Sequence, residues 1–280
     1  MEILVRISGF ASILFVALIF LFLIKEGIRL FGTVTPWAFL SGRSWYPIST
    51  PPQFGALPLI IGSLYVTLGA LVIAVPLSLA SAFYIAEVAR GARKELLKST
   101  IELLAAIPSV VIGFIGMTVL APWVRQLFHL PTGLTALTGA MTLAFMAAPT
   151  IISITEDAIT AVPRAYREGA LALGATRWQT MYRILLPAAA PGIVAAVMLG
   201  IGRVIGETMA VMMVTGNASV IPTSLLQPVR TLTATIAAEM GETVRGSDHY
   251  YALFAIGIVL FVITFIVNWC ADFFLHRERR

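Results

Sequence analysis

The 280-residue chain has one cysteine, Cys270, and three histidines, and charged residues make up only 12 % of it. One cysteine excludes an internal disulfide framework and a thiolate metal cluster. A free cysteine in an apolar stretch is expected as a small buried hydrophobe. His129, His249 and His276 are scattered, without metal-ligand spacing. There is no glycine-rich loop ending in Lys-Ser/Thr, so the chain is not expected to hydrolyse ATP by itself. Neither a metal nor an organic cofactor is expected. Soluble domains carry roughly 25 % charged and roughly 45–50 % apolar residues, whereas 59 % of this chain is apolar. A soluble fold cannot hide that much apolar side chain, which argues against an ordinary cytosolic enzyme. A disordered tail would need the opposite balance.

What is abundant is long apolar sequence. A bilayer core of about 30 Å needs about 20 apolar helical residues. Six stretches qualify: 7–24, 58–86, 99–123, 134–155, 189–215 and 250–274. Pro76 in the second and Pro108 in the third are expected to kink their helices. The first run is followed by Lys25-Glu26-Gly27-Ile28-Arg29 with no small-x-small cleavage site, so an uncleaved helix is expected.

Basic residues orient the spans. With the N-terminus inside, one side holds Arg6, Arg90, Arg93, Lys94, Lys98, Arg164, Arg167, Arg177, Arg183, Arg277, Arg279 and Arg280. The other holds Lys25, Arg29, Arg43, Arg125, Arg230 and Arg245. The bias places both termini in the cytoplasm. The net charge of +5 is then mainly a topology signal, and no nucleic-acid partner is expected. The outer loop 32–57, with Trp37, Trp45 and Tyr46, reads as interfacial aromatics or as a docking surface. In the outer loop 216–249, Thr231 to Met240 reads as a short helix or re-entrant piece. Glu87 is expected at headgroup level, Glu156 and Asp157 as solvated, and Glu102 as paired with Lys98 four residues earlier. Gly192, Ala196 and Gly200 suggest close helix packing, and Met209, Met212 and Met213 suggest core packing.

The stretch between the fourth and fifth spans is the most specific. It reads Glu168-Gly169-Ala170-Leu171-Ala172-Leu173-Gly174, then nine residues, then Ile184-Leu185-Leu186-Pro187. This predicts a short helix, a turn at Gly174 with positive φ, and a second helix opened by Pro187. Ala170, Leu171 and Leu173 give the short helix an apolar surface that needs a cover, and a groove on a soluble partner would supply one. The spacing resembles the coupling loop of ABC-importer permeases at Glu168, Ala170, Gly174, Ile184, Leu186 and Pro187. Gly169 stands where alanine is usual, which loosens the helix by up to about 1 kcal/mol. In that family the loop docks into the ATPase subunit and carries its motion to the spans.

The fifth span contains Arg203, 12 residues past Pro191, so roughly 18 Å along a helix and near the bilayer middle. An arginine there costs at least ~2.5 kcal/mol and should face protein or water. Glu207, four residues on, is expected on the same helix face. One reading is a self-compensating ion pair. The other is an anion site, because a guanidinium suits bidentate contact with a tetrahedral oxyanion. Gly202 and Gly206 would keep the surface open. Glu207 could then accept a hydrogen bond from a phosphate that retains protons, which sulfate cannot donate. Thr208 could add a hydroxyl or bond back to its own backbone.

The run Gly202-Arg203-Val204-Ile205-Gly206-Glu207-Thr208-Met209-Ala210-Val211 also resembles the signature of phosphate-specific ABC permeases. So do Ile107 to Gly113, Arg230 to Ala237, Glu239 to Glu242, and Phe54-Gly55. Together they are closer to the PstC type than to the PstA type. The resemblance implies an all-α membrane protein with six transmembrane helices and the type I ABC importer permease fold. Residues 1–57 would form the first transmembrane helix and outer loop. Residues 58–280 would form the permease core, with the coupling loop at 161–187. The resemblance further implies a PstA-type permease as heterodimer partner, two copies of an ATP-binding subunit and an extracytoplasmic phosphate-binding protein. Arg203 and Glu207 would serve phosphate passage in the cytoplasmic membrane. Two alternatives stay open: a permease for molybdate, tungstate or sulfate, and a non-transporting membrane scaffold or sensor.

Overall fold

Among the described residues, six helices are long and apolar enough to cross a membrane: Val5–Gly32, Leu57–Val88, Ser109–Leu127, Ala136–Thr160, Arg177–Gly206 and Asp248–Cys270. They come from a computed structural model that describes residues 2–277, with side chains from 5 to 270. Arg279 and Arg280 therefore lie outside the described residues, as do the side chains of His276 and Arg277.

Helix α1 (Glu2–Gly27) runs into a 3₁₀ turn, and α2 (Pro36–Ser41) follows. A small hairpin, β1 (Trp45–Tyr46) and β2 (Gln53–Phe54), pairs Trp45 with Phe54. Helix α3 (Leu57–Phe83) ends in a π turn, Tyr84–Val88, and Pro76 sits inside it. Next come α4 (Ala92–Ala105), α5 (Ser109–Ile115), a π turn, α6 (Ala121–Leu127) and α7 (Ala136–Thr160). Helices α8 (Arg164–Ala172) and α9 (Arg177–Thr180) lie between α7 and α10 (Leu186–Gly206). The chain closes with α11 (Met209–Val214), α12 (Leu232–Glu239) and α13 (Asp248–Arg277).

Helix α7 is the centre because its small residues let neighbours approach. Ala136, Ala140 and Ala147 are fully buried, and α3 meets them with Val66, Ala70 and Ala74 at four-residue spacing. On α10 the small-residue series does pack closely, as expected. A Cβ at Gly192 would sit 2.4 Å from Ala158, one at Gly200 would sit 2.6 Å from Ile151, and Ala196 is fully buried. A second core joins Leu30, Phe39, Trp45, Phe54, Leu59, Leu232, Leu253 and Ile256 at the end of the bundle away from α8. Helix α1 lies almost bare along α13, with Phe20 stacked on Phe261 at 4.4 Å.

Several expectations need correction. The third span begins at Ser109, not near 99. Pro108 breaks the chain with ψ of 138°, and the charged α4 is a separate helix with no buried residue; a proline removes a donor and biases its predecessor away from helix. The fifth stretch is not one helix to 215, because α10 stops at Gly206. Trp45 is 1 % exposed and belongs to the core, whereas Trp37 and Tyr46 are exposed. Cys270 is exposed, not buried. Met213 packs on Gly113, but Met209 is exposed. Thr231 to Met240 does form a short helix, α12, capped by the Thr231 hydroxyl.

Candidate substrate pathway and coupling site

The break after α10 shapes the first candidate site. Glu207 takes an extended conformation, with ψ of 132°. A break inside a span frees backbone groups that need partners. Here side chains supply them. Glu207 Oε1 accepts from Ala210 N at 3.2 Å, Thr208 donates back to the Gly206 carbonyl at 3.2 Å, and Thr233 of α12 donates to the Glu207 carbonyl at 2.9 Å. Helix α12 is held in turn by Ser63 of α3, whose hydroxyl accepts from Leu232 N at 2.9 Å.

Arg203 stands in the last turn of α10, where a cation suits the helix dipole. The continuous-face expectation fails here. Among the described residues no hydrogen bond or ion pair joins Arg203 to Glu207, and Glu207 instead caps α11. Arg203 is exposed while neighbouring Val204 is 3 % exposed, so the guanidinium points away from the chain's own core. A Cβ at Gly202 or Gly206 would meet nothing within 4 Å. The structure thus gathers Glu207 and Thr208 at the break. It leaves Arg203 on an open surface that must meet water or another protein.

The second candidate site is the 161–187 loop. Gly174 has φ of +83°, as expected, and closes α8 with a paired cap. Ala175 N donates to Ala170 O at 3.1 Å and Gly174 N to Leu171 O at 3.0 Å. Thr176 then opens α9 with a capping box to Gln179. Pro187 does not open the second helix as expected: Thr176 does, and the helix runs from Arg177 through a π turn at Met181–Leu185 to Gly206 with Pro187 inside it. Glu168 is exposed, Ile184 and Leu186 are half-buried, and Leu173 is 91 % exposed. Ala170 differs from expectation, since it is buried and faces inward. The open apolar surface is made by Leu171, Leu173, Tyr166 and Trp178.

Three ionic groupings were not anticipated. Arg167 of α8 pairs with Glu87 in the turn that ends α3, a partner the expected headgroup position did not supply. Glu156 is 3 % exposed and accepts from both Lys94 and Lys98 at 2.9 Å. That corrects two expectations, because Glu156 is buried and Lys98 pairs with it and with the exposed Asp157 rather than with Glu102. The hydrogen bond to Glu156 raises the Lys98 pKa above the ordinary 10.5. At the other end, Glu239 accepts from Trp45 Nε1 at 3.0 and 3.2 Å and from Arg230 at 2.5 Å, with His249 Nε2 at 2.8 Å. An ionisable residue inside an apolar run, such as Glu156, is the kind of signal that finds these groups.

The fold and the loop define a class, and comparison with known proteins agrees. The chain belongs to the family of binding-protein-dependent transport system inner membrane components, whose model matches residues 74–280. Its architecture is that of the type I ABC importer permeases. A bacterial ABC transporter involved in alginate import superposes with a TM-score of 0.66 at 18 % identity, covering 98 % of this chain and 95 % of that one. The MetNI methionine ABC transporter gives a TM-score of 0.60 at 19 % identity, covering 81 % and 95 %.

Two sequence relatives narrow the class. The probable ABC transporter permease protein YqgH of Bacillus subtilis is 44 % identical over 248 residues, 88 % of this chain and 80 % of the relative. The phosphate transport system permease protein PstC of Mesorhizobium japonicum is 39 % identical over 260 residues, 86 % and 79 %. The chain is an inner membrane protein and a transport component, and its class implies a second permease, an ATP-binding subunit and a binding protein as partners.

Proposed function

We propose that the chain is the PstC-type permease subunit of an ATP-driven importer of inorganic phosphate. It supplies half of the pathway and one coupling helix, and alternating access moves the anion. A PstA-type permease forms the other half, two ATP-binding subunits sit below, and an extracytoplasmic phosphate-binding protein delivers the cargo. Both termini lie in the cytoplasm, following the basic-residue bias. The permease core spans 58–280, with residues 1–57 as an added helix and outer loop.

The observation that carries this reading is Arg203, exposed between two glycines with no ionic partner among the described residues. A guanidinium on such a face can grip two oxygens of a tetrahedral anion. Thr208 spends its hydroxyl on Gly206, so its share in the pathway is to hold the break. Glu207 spends one oxygen on the α11 cap, and the other is open to a donor such as a protonated phosphate. At the opposite end Glu168, Ala170, Gly174, Ile184, Leu186 and Pro187 form the coupling site for the ATPase. Ala170 anchors α8 from within, and Glu168 faces outward.

The test is to purify the complex from its native membrane and measure ATP-driven phosphate uptake in liposomes. Molybdate, tungstate and sulfate serve as competitors. Phosphate uptake that resists them is expected. ATP-driven sulfate or molybdate uptake that phosphate does not inhibit would replace phosphate with another oxyanion. No ATP-driven flux at all would favour a scaffold.

A further inference from the structure

Helix α8 is weakly seated for a part that must transmit force. It leaves α7 after three residues ending at Pro163, and Ala170 is its buried residue. Alanine offers little surface with which to grip a neighbour. Beyond its packing on α9 and the turn that follows, α8 is tied to the α3 span by one charged contact among the described residues, Arg167 with Glu87. The two side chains are 38 % and 17 % exposed. They share a cleft of about 740 Å³ with Arg90, Lys94 and Trp178. Arg167 Nε is already buried without a partner, so loss of Glu87 would leave the guanidinium still shorter of acceptors.

The surrounding geometry turns this contact into a frame. From Glu87 the chain turns at Gly91, with φ of +54°, into α4. Helix α4 then reaches α7 through Lys94 and Lys98 on Glu156. Helices α3 and α7 are closely packed: a Cβ at Gly69 would sit 2.9 Å from Ala140. The ring therefore runs α3, α4, α7, α8 and back to α3. Without the Arg167–Glu87 side it opens, and α8 can swing about Pro163.

We infer that Glu87 and Arg167 are positioning residues that lock the coupling helix to the α3–α7 pair, so that a push on α8 moves both spans as one body. The inference rests on the reading of 161–187 as the ATPase coupling site. It assigns a role to two residues that need not touch either ATPase or cargo.

The experiment compares Glu87→Gln, Arg167→Gln and the double charge swap Glu87→Arg with Arg167→Glu, each in the whole complex in liposomes. The readout is ATP hydrolysed per phosphate imported, with co-purification of the ATPase measured in parallel. Either single change is expected to keep the ATPase bound and to raise that ratio about tenfold, the equivalent of ~1.4 kcal/mol of lost coupling. The swap is expected to bring the ratio back toward the wild-type value. A wild-type ratio in Glu87→Gln, or a swap no better than the single changes, would overturn the inference. Loss of the ATPase would overturn it too, by making the pair a docking contact. Glu168→Lys tests the underlying reading separately: an ATPase still bound and normally stimulated there would remove the coupling site itself.

Discussion

Two arginines in this chain meet opposite surroundings. Arg230 is only 20 % exposed, and Glu239, which also takes Trp45 and His249, compensates its charge. Arg203 is exposed, flanked by two glycines that leave its helix face bare, and unpaired among the described residues. A buried charge survives when hydrogen bonds and a counter-charge replace its water. Where a span leaves one uncompensated, something outside the chain completes it. The first arrangement builds architecture, since it pins β1, α12 and the start of α13 together. The second is open for work. The same contrast separates Glu156, held by two lysines, from Glu168, which faces outward.

The comparison breaks most sharply at Arg203. Arg203→Gln is expected to abolish phosphate uptake while shifting stability by no more than about 0.5 kcal/mol, the usual range for an exposed position. Liposome uptake, membrane abundance and thermal unfolding in detergent measure the three quantities. Wild-type uptake would remove the anion site. The reverse pattern is expected for Glu239→Ala, which strands Arg230 and two further donors. A loss of about 2 kcal/mol in unfolding free energy follows, given partial exposure. An unchanged melting temperature would show that the knot holds nothing together.

A smaller effect tests the α4–α7 link. The folded state raises the Lys98 pKa, chiefly through its hydrogen bond to Glu156. Its stabilisation is thus complete below the ordinary value of 10.5 and disappears as pH rises through the higher folded value. Lys98→Gln should lower the melting temperature near neutral pH by only a small amount, because the side chain is 43 % exposed and Lys94 remains. The difference from wild type should shrink as pH climbs above that range. A constant difference across the alkaline limb would contradict the link.

What was legible in the sequence was local. Six runs long enough to cross a bilayer mark the spans, and Gly174 marks the end of α8, because each signal lies within a few residues of its effect. The misses share a cause. A hydropathy run passes smoothly through Pro108 and through Gly206-Glu207, since apolar residues lie on both sides of each break. The break at Glu207 is held by Thr233, 26 residues away. Arg167 finds Glu87 across 80 residues, and Trp45 finds Glu239 across 194. Such pairs depend on helix register and on which faces meet, which periodicity alone does not supply. Glu207 followed Arg203 at helical spacing, yet that spacing has meaning only if the helix continues.

The finest test of the contrast is Glu207, which belongs to both sides of it. One oxygen does architectural work on Ala210 N, and the other is open. Glutamine keeps a carbonyl oxygen that can accept from Ala210, so Glu207→Gln should preserve the break and the fold. What it removes is the negative charge at the break between α10 and α11. A protonated phosphate can donate to a carboxylate, whereas ionised sulfate has no proton to give and is repelled. The charge-assisted bond exceeds its neutral counterpart by ~1 kcal/mol, or about fivefold in discrimination. Sulfate should therefore compete about fivefold better against phosphate uptake in the variant than in wild type, with uptake still driven by ATP. If sulfate competition and the pH profile of uptake both stay at wild-type values, the carboxylate's charge plays no part in selection, and Glu207 stands with Glu239 among the residues that only hold the frame.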